Sequence, residues 1–140
     1  MSLVYFDSSA LLSLCVSGPR TPLAQRLWIR ADAAVTSHVA LVQVPAALGQ
    51  AHRRNLLTAA GLERALASWH DVRQAVYVIR ASKELALRAG ELVLNHDLRA
   101  DDAWHLAGAQ LALRDGGLAA VWDERLRAAA LATGVRVCGQ

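Results

Sequence analysis

The chain has 140 residues, of which 15 are Lys or Arg and 12 Asp or Glu, for a formal net charge of +3, and 54% are hydrophobic. That length suits a single domain with a real core, and the apolar content excludes a disordered chain. The charge is compatible with a nucleic-acid partner without establishing one.

Leu3 to Phe6 is an apolar run with aromatic and β-branched members that stops at Asp7, which predicts a strand buried on both faces. Leu11 to Cys15 reads as a short helix, ended by Ser17-Gly18-Pro19. A second helix covers Thr21 to Arg30, with Pro22 in the tolerated first turn. Ala33 to Thr36 is a short strand. A longer helical stretch follows from Ser37, a candidate cap, to near Asn55, and Pro45 inside it predicts a kink or a late start. Thr58 caps a helix to near Arg73, Ala75 to Ile79 forms the next strand, and Ser82 opens a helix to near Leu94.

His96 to Arg99 is a loop. Asp101 and Asp102 then open a strongly apolar helix, Ala103 to Arg114, which Gly116-Gly117 breaks. Leu118 to Trp122 is a strand ending at Asp123, the cap of a last helix to near Ala132. Gly134 ends that helix, and Val135 to Cys138 forms a final short strand. Strands that alternate with helices and lack polar alternation predict an open parallel α/β sheet. There is no internal repeat and no interdomain linker, so residues 1–140 are expected to form one domain.

Cys15 and Cys138 lie at opposite ends of the chain and make no disulfide framework, which suits apolar thiols in a reducing cytosol. No basic region precedes the first apolar stretch, and no run reaches the roughly 18–20 apolar residues needed to span a bilayer. A cytoplasmic protein without a membrane partner is expected.

Asp7, Asp102 and Asp123 each stand at an element junction. In open parallel sheets, ligands bind at the carboxyl ends of the strands, where strand order reverses. Asp7 and Asp123 are expected at that edge, and a helix start can bring Asp102 to them. Clustered carboxylates repel one another unless a cation sits among them. Oxygen donors without Cys or His suit Mg²⁺ or Mn²⁺ better than Zn²⁺. The same acids can equally serve as ordinary turn formers and helix N-terminal residues, and spacing alone does not separate the two readings.

Three blocks carry a family resemblance. Tyr5-Phe6-Asp7-Ser8-Ser9-Ala10-Leu11 resembles the first acidic motif of PIN domains. Leu98-Arg99-Ala100-Asp101-Asp102-Ala103-Trp104-His105-Leu106-Ala107 closely resembles the family's Leu-Arg-x-x-Asp-Ala-x-His-Leu-Ala block, which makes Asp102 the family acid and Asp101 its variable neighbour. Val121-Trp122-Asp123-Glu124-Arg125-Leu126 resembles the terminal acidic motif. Together they span the chain in the family's order. The resemblance, to PIN-domain ribonucleases of the VapC toxin type, implies a three-layer α/β/α sandwich around a parallel sheet of about five strands. It further implies RNA hydrolysis with Asp7, Asp102 and Asp123 as catalytic metal ligands for Mg²⁺ or Mn²⁺, a homodimer, and a cognate VapB-like antitoxin covering the groove.

One block departs from the pattern. Where the family carries glutamate, as Glu-Val-x-x-Ala-Leu, this chain reads Gln43-Val44-Pro45-Ala46-Ala47-Leu48. Glutamine keeps an oxygen acceptor and loses the charge, so Gln43 is an altered ligand of a working or weakened nuclease, or the mark of a silent RNA- or partner-binding relative. A phosphohydrolase acting on another substrate is a third reading.

Other candidates surround these. Ser9 can bond an acid or a metal-bound water. His105, three residues after Asp102, can orient that carboxylate or simply pack. Arg99 and His52-Arg53-Arg54 are candidates for phosphate contact. Trp104 and Trp122 read as core residues that can also stack on a base.

Overall fold

The structure, a computed structural model, describes residues 2–139. The elements in chain order are β1 (Leu3–Phe6), α1 (Ser8–Cys15), α2 (Thr21–Arg30), β2 (Ala33–Ser37), α3 (Ala40–Arg53) and α4 (Ala59–Ala75). They continue with β3 (Tyr77–Ile79), α5 (Lys83–Asn95), α6 (Ala100–Ala112), β4 (Leu118–Ala120) and α7 (Glu124–Ala132).

The four strands pair in parallel in the order β3-β2-β1-β4. β1 is central, and side chains along it alternate between two packed faces. Val4 and Phe6 join a core with Ala10, Leu11, Val44, Leu48 and Trp69 from α1, α3 and α4. Tyr5 joins the opposite core, with Leu85, Leu92, Leu106 and Leu126 from α5, α6 and α7. Helices on both faces explain why the strands are apolar throughout, and the result is the expected α/β/α sandwich.

Close approach across these layers needs small residues at two points. Gly117 has φ +125°, and a Cβ there would lie 2.7 Å from the Leu3 carbonyl oxygen, so only glycine fits beside β1. Gly108 lets α6 descend onto Tyr5, whose hydroxyl would stand 3.3 Å from an added Cβ.

Several boundaries differ from expectation. The first helix starts at Ser8 rather than Leu11, because Asp7 caps it by accepting from the Ala10 N–H. Ser37 is no cap: it is the last residue of β2, paired with Ile79, and α3 starts three residues later, at Ala40. That late start puts Pro45 in the second turn of α3, beyond which the helix runs on to Arg53. α6 starts at Ala100, which places Asp101 and Asp102 inside its first turn.

The expected fifth strand is reduced to one parallel bridge, Ala119 to Val137. Its bonds are Ala119 N–H to Arg136 O at 2.8 Å and Cys138 N–H to Ala119 O at 3.0 Å. β4 is only three residues long, so it offers little edge for a longer ladder.

Both cysteines are free. No described helix is long and apolar enough to cross a membrane.

Candidate active site

The strand order reverses between β1 and β4, and the chain leaves the carboxyl ends of both strands beside each other. The Asp7 N–H donates to the Ala120 carbonyl at 3.1 Å, locking those two ends together. The Asp7 carboxylate accepts from the Ala10 N–H at 2.8 Å and from the Ser9 hydroxyl at 2.7 Å. It is 2% exposed. Burial, aided by the charge of nearby Asp123, lifts its pKa to about 6 against the hydrogen bonds that favour the anion. Asp123 caps α7 in the same manner, accepting from the Leu126 N–H at 3.0 Å.

Asp102 reaches these two from the other side, from the first turn of α6. It is 6% exposed, and its Oδ2 has no hydrogen-bond partner among the described residues. Arg99 Nε stands 3.6 Å from that oxygen, an ion-pair distance too long for a hydrogen bond. Burial raises the Asp102 pKa, Asp101 and Asp123 raise it further as like charges, and Arg99 offsets part of the rise. Asp7, Asp102 and Asp123 line one cavity of about 150 Å³ together with Ser8, Ser9, Gln43, Arg99, Asp101, His105 and Leu126. Among the described residues, no three His, Cys, Asp or Glu side chains stand at the spacing that would hold a metal ion.

A second set of bonds forms the wall between α3 and α6. Burial pushes the His105 pKa down to about 4, so the ring is neutral near pH 7. Its Nδ1 lies 2.8 Å from the Tyr5 hydroxyl and its Nε2 lies 2.7 Å from Gln43 Oε1. An amide oxygen only accepts, so Nε2 carries the proton and Nδ1 accepts from Tyr5. Burial holds the Tyr5 phenol well above its ordinary pKa, consistent with its donor role. Ser8 Oγ donates to the same Gln43 oxygen. Gln43 Nε2 donates to Asp101 Oδ2 at 2.7 Å.

His105 thus orients Gln43 rather than Asp102. Sequence reasoning placed Gln43 near the acids but missed Ser8 and the part played by Asp101. The only sequence signal for Asp101 is its adjacency to Asp102.

The arginines divide. Arg99 and Arg53 both border a groove of about 530 Å³ beside the acids, floored by Leu12, Ala46, Ala47 and Gln50. Arg54 is exposed at the C-cap of α3 and borders neither the groove nor the acid cavity. His52 is tied to the Leu57 carbonyl at 3.0 Å. Trp104 packs against the core and meets the His38 ring edge-on at 4.6 Å. Trp122 donates to Ser13 Oγ at 2.9 Å, with the Arg20 guanidinium 5.1 Å over its ring.

Comparison with known proteins agrees with this architecture. Residues 4–131 match the model of the PIN domain family. The chain is 43% identical to Ribonuclease VapC45 of Mycobacterium tuberculosis, over 98% of this chain and 95% of the relative. It is 34% identical to Ribonuclease VapC46 of the same species, over 98% and 97%. Among solved structures it resembles Mycobacterium tuberculosis VapC20, described as a sarcin-ricin loop cleaving toxin, with a TM-score of 0.67, 22% identity, and 94% and 95% of the two chains covered. A toxin–antitoxin complex from Klebsiella pneumoniae matches with a TM-score of 0.60, 23% identity and 99% and 97% coverage. By its sequence motifs, its sheet and these matches, the chain belongs to the PIN-domain family.

Proposed function

We propose that this protein is a metal-dependent ribonuclease, the toxin of a toxin–antitoxin pair, and that its reaction centre is the cavity holding Asp7, Asp102 and Asp123. The observation that carries the reading is the orphaned Asp102 Oδ2, buried without a hydrogen-bond partner among carboxylates from three separate elements. Buried polar atoms are ordinarily paired, and like charges gathered at low exposure need a counterion. Oxygen donors of this kind suit a hard dication such as Mg²⁺ or Mn²⁺. Among the described residues no three stand at metal-holding spacing, so they would have to draw together around it. Names of relatives 43% and 34% identical supply the ribonuclease class.

Asp7, Asp102 and Asp123 would hold such a dication, which would supply charge stabilisation at the phosphate and lower the pKa of the attacking water. The protein's own residues do the rest. Asp7 and Asp123 present carboxylates whose orientation is fixed by helix N–H groups, and Ser9 holds Asp7. Arg99, exposed beside Asp102, and Arg53 along the groove draw in the phosphates on either side of the scissile bond. The groove's apolar floor of Leu12, Ala46 and Ala47 accepts sugar and base. The same groove would take the tail of a VapB-like antitoxin, and the toxin would act as a homodimer; both rest on the family relationship.

The test is incubation of the purified chain with total RNA and Mg²⁺ or Mn²⁺, followed by mapping of the fragment ends. Cleavage at defined sites, abolished by chelator and restored by metal, supports the proposal. Intact RNA throughout favours the second reading, a PIN-fold protein that binds without cutting, for which Gln43 in place of glutamate is the supporting feature.

A further inference from the structure

By the resemblance of its block to the family's Glu-Val-x-x-Ala-Leu, Gln43 falls at the position of a family glutamate, and its two amide ends are not interchangeable. The oxygen meets two donors, the His105 Nε2–H and the Ser8 hydroxyl, while the nitrogen donates to the Asp101 carboxylate at 2.7 Å. Turned over, the amide would set its oxygen against the Asp101 carboxylate, which can only accept. A glutamate in this place would press a second anion onto Asp101 at the same distance, tolerable only with a shared proton or cation.

We propose that Asp101 supplies the fourth carboxylate of the cavity: the charge that the family holds on α3 at position 43 has moved to α6 at position 101, and the Gln43 amide positions it. The inference rests on the metal-dependent reading of this same cavity. Asp101 borders both the acid cavity and the adjoining groove. Its Oδ1 accepts the Asp102 N–H at 3.0 Å, which leaves Oδ2 turned towards Gln43. Each of these two bonds uses one lone pair, so each oxygen keeps further acceptor capacity, and Arg99 Nε, 3.8 Å from Oδ1, is too far to take it up as a hydrogen bond. The unpartnered Asp102 Oδ2 in the same cavity marks independently where a cation is wanted. Gln43 is therefore a positioning residue and Asp101 a ligand.

The exchange can be reversed by substitution. With glutamate at 43 and asparagine at 101, the asparagine amide would donate to the glutamate while His105 and Ser8 still donate to its other oxygen. The hydrogen bonds survive and the charge returns to α3.

The experiment is calorimetric titration of Mn²⁺ into the wild type, Asp101→Asn, Gln43→Glu, the Gln43→Glu/Asp101→Asn double variant and Asp102→Asn, with metal-free melting temperatures of each. Asp101→Asn should weaken Mn²⁺ binding about tenfold, at the low end for disturbing a metal site, and the double variant should recover the wild-type affinity. Gln43→Glu alone should melt below the wild type without metal and regain more stability than the wild type on adding Mn²⁺. Unchanged affinity in Asp101→Asn, or a double variant as weak as Asp101→Asn, overturns the exchange. Asp102→Asn separates the two levels. If it loses binding while Asp101→Asn keeps it, only the exchange is wrong; if it binds Mn²⁺ like the wild type, the metal site itself is wrong and the exchange with it.

Discussion

The two sides of the acid cavity are built differently. On the sheet side, Asp7 and Asp123 are helix caps: each carboxylate accepts a backbone N–H at the start of its helix, so the folded chain uses it whatever else it does. On the α6 side, Asp102 is not the N-cap; its carboxylate lies by the Arg99 backbone N–H and guanidinium, yet its Oδ2 is buried without a hydrogen-bond partner. A cap lowers the free energy of the fold, while an orphaned buried carboxylate raises it. The comparison separates carboxylates that the fold uses as helix caps from one with an oxygen left over, which under the proposed reading is where a ligand is wanted.

The largest expected effect comes from removing charge without removing the cap. Asparagine is as good a cap as aspartate, so Asp123→Asn should keep the melting temperature while RNA cleavage falls about a thousandfold, the scale of losing a group that acts in the transition state. A variant that cleaves normally would confine Asp123 to its capping role.

Next in size is a pH effect in which two groups oppose each other. Asp7 is held up at about 6 chiefly by burial. Between its ordinary value near 3.8 and about 6, the folded chain keeps a proton that the unfolded chain releases, so this group's contribution to stability falls as pH rises. His105 is pushed down to about 4, also chiefly by burial. Between about 4 and its ordinary 6.5, the unfolded chain binds a proton that the folded chain refuses, so its contribution rises with pH and is lost on acidification. The two slopes offset each other over most of this range in the wild type. Asp7→Asn keeps the cap and unmasks His105: its stability should climb between pH 4 and 6.5 by up to about 3 kcal/mol. Urea titrations across that range check it, and parallel profiles for variant and wild type would refute the assignment.

Alanine at the caps gives a smaller effect. Asp123→Ala should cost about 1 kcal/mol of stability through the lost bond to the Leu126 N–H, whereas Asp102→Ala should cost less in the metal-free protein. Chemical denaturation of the pair measures the difference, and equal losses would erase the distinction between the two sides.

The smallest effect on stability is expected at Arg99, which is largely exposed and pairs with Asp101 and Asp102 at 3.8 and 3.6 Å. Arg99→Ala should leave stability within about 0.5 kcal/mol. RNA binding should weaken, with the salt slope falling by about 0.7 for each phosphate that Arg99 no longer neutralises. An unchanged slope would make Arg99 a solvated residue at the start of α6.

Much of this arrangement was legible in the residues themselves. The apolar runs marked each strand, and Thr58, Ser82 and Asp123 marked helix starts because a short acceptor side chain before an amphipathic stretch has a local meaning. The helix that Asp7 caps, by contrast, starts three residues before the expected Leu11. The errors fell where local rules gave way to the sheet. Ser37 has a cap's chemistry and was drawn into β2 by pairing with β3. Val135 to Cys138 has a strand's composition and too short a neighbour to pair with. The Gln43–Asp101 bond was beyond local reading, since it joins residues 58 positions apart. So was the part played by His105: its spacing pointed to Asp102, and only the packing of α6 over β1 turned the ring between Tyr5 and Gln43.

The most direct test of the central claim is a side-by-side assay of the wild type and Asp102→Asn on the same total RNA with Mg²⁺, with the metal-free melting temperature taken on the same samples. The account predicts that Asp102→Asn loses cleavage while melting at or above the wild-type temperature, because the substitution removes a buried charge whose Oδ2 no hydrogen bond satisfies. Cleavage at the wild-type rate, or a variant that loses activity only by losing its fold, would contradict it.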